Sequence, residues 1–193
     1  STEEAQDYKD NAVGEALFMR AFFYFKLAKF FGGVPLITSV DQEKDGPRNT
    51  YTETFAQIAS DLKLAIEMMA STPFTSIPTD NYGHANKWVA EAYLGRVYLH
   101  YTGYMSNIEG QSTSDLPLVD GGSLSSTDVV GYLNDCINNS GHALVSDFRN
   151  LWPYSYVNTS ANDVVLPWAD EEGLAWVGQD GLSPTFGTGN SES

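Results

Sequence analysis

Apolar positions recur at helical spacing over most of the chain, and four helices follow from them. From Asn11 to Phe31, Val13, Ala16, Leu17, Ala21, Tyr24, Leu27, Ala28 and Phe31 fall at steps of three and four, the spacing of one helical face. Phe18, Phe22, Phe25 and Phe30 form a second set, which predicts a helix with neighbours on both sides. Gly32-Gly33 supplies a C-cap, and Pro35 prevents the helix from resuming. Thr50-Tyr51-Thr52-Glu53 reads as a capping box, followed by a stripe of Phe55, Ile58, Ala59, Leu62, Ala65, Ile66 and Met69. Lys63 and Glu67 stand one turn apart on the outside of that helix.

A third helix is predicted over about residues 85–101, with Trp88, Val89, Ala92, Tyr93 and Val97 around most of its circumference. Leu94-Gly95-Arg96-Val97-Tyr98 matches the L-G-x-x-Y core of a tetratricopeptide first helix, where the small residue admits a neighbouring helix. A fourth, over about residues 127–139, carries Val129, Val130, Leu133, Cys136 and Ile137. Residues 102–126, with their Gly, Ser and Thr, read as an inserted loop. The fold expected is therefore mainly α. A tetratricopeptide-like scaffold covers residues 1–148, and a long irregular, loop-rich C-terminal segment covers 149–193.

Charge narrows the choice of partner. Lys and Arg number 10 against 25 Asp and Glu, for a net charge of −15. Arg149 is the sole basic residue after Arg96. Nucleic-acid affinity rests on cations that release counterions from phosphate, so such a partner is excluded. No apolar run reaches the ~20 residues of a membrane helix. The first residues are polar and acidic, and the last are Gly, Thr, Asn and Ser. Both ends read as cuts within a longer polypeptide.

Catalytic and cofactor motifs are missing from the chain: no G-x-S-x-G elbow, H-E-x-x-H pair, phosphate loop or dinucleotide fingerprint occurs. A binder without a cofactor, not an enzyme, is expected. His84, His100 and His142 are scattered and read as capping or packing residues, and Cys136 as a packed, inert thiol. Arg20 interrupts the apolar first helix and needs a carboxylate partner, with Asp61 and Glu91 as candidates.

Three of the four tryptophans lie in 149–193. Sugar rings stack their C–H faces on aromatic planes while carboxylates bond the hydroxyls. Trp168, Trp176, Tyr154 and Tyr156, with Asp170 and Asp180, are the candidate ligand-binding residues. The same rings could instead pin loops to the helices, and the acidic cluster of Asp163, Asp170, Glu171, Glu172 and Asp180 reads foremost as a solvated loop.

Several blocks together resemble a known family. Gly14-Glu15-Ala16-Leu17-Phe18-Met19-Arg20-Ala21-Phe22-Phe23-Tyr24-Phe25, followed by Phe31-Gly32-Gly33-Val34-Pro35-Leu36, is similar to the A-E-A-x-F-x-R-A-Y-x-Y-F … F-G-G-V-P-L hallmark of the SusD/RagB family. Arg48 with Tyr51, Phe55, Ile58, Asp61, Leu62 and Ala65 resembles its next block. Gly83 to Leu99, and Ser140 to Leu151, resemble two more in family order. His84 stands where the family has Arg, and Gly14 and Gly95 stand where it commonly has Ala. The resemblance implies a lipid-anchored outer-membrane protein of the cell surface. Such a protein binds an oligosaccharide or other nutrient and partners a TonB-dependent transporter barrel in import. The anchoring cysteine would precede Ser1. A helical-repeat scaffold that binds only protein is the alternative.

Overall fold

The steps of three and four in the first helix resolve into a single buried stripe. In the computed structural model, which describes residues 3–42, 46–78 and 81–144, helix α1 runs Glu3–Phe31. It buries Phe18, Ala21, Phe25 and Ala28. That stripe takes alternate members from both apolar sets read in the sequence, because residues 18, 21, 25 and 28 share one face at 3.6 residues per turn. The opposite face is not covered among the described residues: Phe23 and Phe30 are 57% and 78% exposed. The two-sided burial that the sequence predicts for this helix is therefore one-sided.

Gly32 ends α1 with a φ of 75°, donating its N–H to Ala28 O at 2.9 Å. Arg48 then closes the helix C-terminus, its guanidinium donating to the carbonyls of Gly33, at 2.9 Å, and Phe31. A cation suits that position because the last carbonyls of a helix are unpaired and carry its negative dipole end. Tyr24 folds the outgoing chain back, with its hydroxyl accepting from Ile37 N at 2.6 Å.

Helix α2, Tyr51–Met68, starts with the capping box seen in the sequence: Thr50 Oγ1 accepts from Glu53 N and the Glu53 carboxylate accepts from Thr50 N. Its stripe of Phe55, Ile58, Ala59, Leu62 and Ala65 is fully buried. Lys63 and Glu67 pair at 2.6 Å on its outer side. After a 3-10 turn at Phe74–Ser76, helix α3 runs Lys87–Asn107 with Asn86 as N-cap. It continues past the start of the predicted loop because Tyr101 and Met105 bury their side chains in the core, which outweighs the helix-weakening Gly103. The rest of that stretch holds a small antiparallel pair, strand β1 (Leu116–Pro117) with strand β2 (Ser123–Leu124). Helix α4, Ser126–Asn139, opens with a second capping box, Ser125 with Asp128.

Each helix packs on its sequence neighbour, α1 on α2, α2 on α3 and α3 on α4. Phe18 and Leu62 lie in one hydrophobic core, with Tyr93 packed against it. Tyr93 sits 5.7 Å from Phe18 and 5.6 Å from Phe25 in edge-on contacts that bind α3 to α1. The architecture is thus mainly α and tetratricopeptide-like. The chain divides into units Ser1–His142 and Ala143–Ser193, and all these elements belong to the first. The loop-rich segment expected over 149–193 lies outside the described residues.

Candidate functional site

The loop between α2 and α3 is fastened at several points, and that fastening shapes a groove beside α1. Trp88 Nε1 donates to Thr72 O at 2.8 Å, and Phe74 N donates to Ser140 O, just past α4, at 2.7 Å. The Phe74 ring stacks on Tyr82 at 5.2 Å and on His142 at 4.5 Å. Three adjoining hollows of about 550, 460 and 370 Å³ result, and His84 and Ala85 line all of them. His84 Nδ1 lies 2.9 Å from Glu15 Oε1 across the groove.

The groove combines ring faces with polar groups. Tyr8 and Tyr82 are 79% and 46% exposed. Tyr8 lines one hollow with Glu15 and Asn81, and Tyr82 lines the other two, with Glu15 in one and Asn81 in the other. Flat faces beside an amide and a carboxylate are chemistry that suits a neutral, hydroxyl-rich ligand. Among its described lining residues nothing resembles a nucleophile with its base. Among the described residues no group of three His, Cys, Asp or Glu could hold a metal, and no helix is long and apolar enough to cross a membrane.

The sequence candidates for ligand binding, Trp168, Trp176, Tyr154, Tyr156, Asp170 and Asp180, all lie outside the described residues. Sequence reasoning passed over the groove itself. Its signal was the one applied further along the chain, aromatics within a Pro- and Gly-punctuated loop: Phe74 and Tyr82 between Pro73, Pro78 and Gly83. The histidines divide. His100 packs edge-on to Phe25 at 5.2 Å and stacks over Phe55 at 5.9 Å, and burial pushes its pKa down. His142 stacks on Phe74 and lines one of the three hollows, whereas His84 lines all three. Cys136 is half-buried, and burial raises its thiol pKa, which favours the thiol over the nucleophilic thiolate.

Comparisons with known proteins agree with one another. A SusD-like family model, described as starch-binding associating with outer membrane, matches residues 1–99. A SusD-like protein of Bacteroides ovatus is 27% identical over 163 residues, covering 83% of this chain and 27% of that protein. SusD-like protein P2 of Formosa agariphila is 35% identical over 100 residues, 47% of this chain and 18% of that one. A solved SusD-like protein of Bacteroides fragilis is similar at a TM-score of 0.53 and 26% identity, over 72% of this chain and 23% of its own. A structure solved with xylogluco-oligosaccharide is similar at a TM-score of 0.56 and 25% identity, over 78% of this chain and 27% of its own. The chain spans 27% of its Bacteroides ovatus relative. With the family model matching over half its length and the helical stack matching solved members, the chain belongs to the SusD-like family.

Proposed function

We propose that this chain is part of a cell-surface glycan-binding subunit that works with a TonB-dependent outer-membrane transporter in nutrient import. The observation that carries the reading is the likeness of its helical scaffold to a structure solved with xylogluco-oligosaccharide. The matched family's starch-binding, outer-membrane description supports it. The protein binds and does not turn over its ligand. It is held at the outer membrane by a lipid on residues outside this chain. The acidic balance, −15 overall, suits a neutral polysaccharide rather than a polyanion.

Two measurements on the intact protein test this. A polysaccharide array is expected to show binding without hydrolysis, and affinity capture from cells is expected to retrieve a large β-barrel. Silence across the array together with capture of soluble proteins alone would replace this reading with the protein-binding scaffold. Release of shortened oligosaccharides would make it an enzyme.

A further inference from the structure

The junction of α3 and α4 contains a carboxyl group whose surroundings do not suit its charge. Glu91 is fully buried, and neither of its carboxyl oxygens has a hydrogen-bond partner. Lys87, one turn earlier on α3, places its ammonium 3.5 Å from Glu91 Oε1 and 2.7 Å from Asp135 Oδ2 on α4. One cation thus serves two carboxyl groups. Its other neighbours, the Ser71 hydroxyl at 3.5 Å and the Trp88 ring at 4.9 Å, add no charge. From α4, Tyr132 and Cys136 also face Glu91. From α2, Lys63 and Glu67 face Tyr132 but pair with each other at 2.6 Å.

With both carboxyls ionised, the cluster holds one excess negative charge, and Glu91 carries its share of it fully buried, where an under-compensated charge is costly. A proton on Glu91 removes the excess. It also turns an acceptor-only group into a donor that can bond the Asp135 carboxylate.

We propose that Glu91 is a proton-operated clamp between α3 and α4: its neutral carboxyl bonds Asp135 and closes the junction, and its ionisation loosens it. Burial, opposed by Lys87 and reinforced by Asp135, pushes the carboxyl from 4.5 up to about 7. The hydrogen bond from Lys87 holds Asp135 below the ordinary carboxylate range, as an anion ready to accept. Because the folded value lies above the unfolded one, the clamp is fully closed below the unfolded value and is lost as pH rises through about 7. Lys87 also touches Ser71, and Ser140 at the end of α4 accepts from Phe74 N. Loosening the junction therefore reaches the first part of the loop that lines the groove.

Two readouts on the intact protein test the clamp. Carboxyl-carbon NMR is expected to show Glu91 titrating near pH 7. In denaturant unfolding, the wild-type unfolding constant relative to Glu91→Gln is expected to rise roughly 10- to 100-fold between about pH 5 and pH 8, since the amide keeps the donor and lacks the charge. Parallel pH profiles for the two proteins, or a Glu91 that titrates near 4.5, overturn the proposal. If Glu91→Gln does not fold, the wild-type titration decides alone.

Discussion

Arg20 and Asp61 form a two-pronged ion pair across α1 and α2. Arg20 Nε donates to Oδ2 at 2.7 Å and Nη2 to Oδ1 at 2.6 Å. Asp61 is 3% exposed, and the Arg20 side chain is 29% exposed. Gln57 Nε2 adds a third donor to the same carboxylate at 2.7 Å. The remaining guanidinium nitrogen donates to Thr38 O at 3.1 Å, so one side chain joins two helices and the chain leaving the first.

Removing that guanidinium strands a buried carboxylate. Arg20→Ala is expected to cost roughly 3 kcal/mol, the low end for a broken buried pair because Arg20 keeps some access to water. Arg20→Lys recovers only part, since an ammonium cannot match both carboxylate oxygens with a planar fork. Urea unfolding of the intact protein checks both. A loss under about 0.5 kcal/mol for Arg20→Ala would reduce the pair to an ordinary surface contact.

Two glycines should respond oppositely to alanine. A Cβ on Gly33 would overlap the Asn49 carbonyl oxygen and crowd the Thr50 backbone, and backbone cannot step aside cheaply. Gly33→Ala is expected to destabilise by roughly 1–3 kcal/mol. A Cβ on Gly95 would meet the Leu133 Cδ2 methyl at 2.9 Å, the movable end of a side chain. Alanine there also gains up to about 1 kcal/mol of helix propensity. Thermal melts of the two variants should therefore shift differently, and equal losses would contradict the assigned contacts.

The two capping boxes act on the acid side of the pH scale. Hydrogen bonds from Thr50 and Ser125 hold Glu53 and Asp128 below their ordinary values. A lowered folded value means that their stabilisation is present above the unfolded value and disappears as pH falls through the folded one. Thr50→Ala and Ser125→Ala are each expected to cost about 1 kcal/mol near neutrality. That cost should shrink in acid, read as converging unfolding midpoints of variant and parent.

Ligand binding offers a choice between two surfaces. If the C-terminal rings form the stacking platform, Trp168→Ala or Trp176→Ala weakens glycan affinity by roughly 1–3 kcal/mol, as expected for a hot-spot aromatic. If the groove beside α1 is the site, the loss falls on Tyr82→Ala instead. Calorimetry with a polysaccharide found by the array separates these outcomes. Unchanged affinity in all three variants returns every one of these rings to a packing role.

The helices, the Thr50 capping box, the Gly32 stop and the family membership could all be read from the order of residues. These depend on apolar periodicity and on hydrogen bonds between residues three or four apart, such as Thr50 with Glu53. Even the need of Arg20 for a carboxylate was legible, because a charge inside an apolar stripe demands one. Tertiary packing decided the rest. It selected Asp61 over Glu91 for Arg20 and left Glu91 to share Lys87 with Asp135, residues 44 positions apart in the chain. It extended α3 to Asn107, left Phe23 and Phe30 uncovered among the described residues, and gathered Glu15, Tyr82 and His84 around one groove. Burial and pairing are properties of segments that meet only after folding, so the local pattern names which groups need partners while the packed helices choose them.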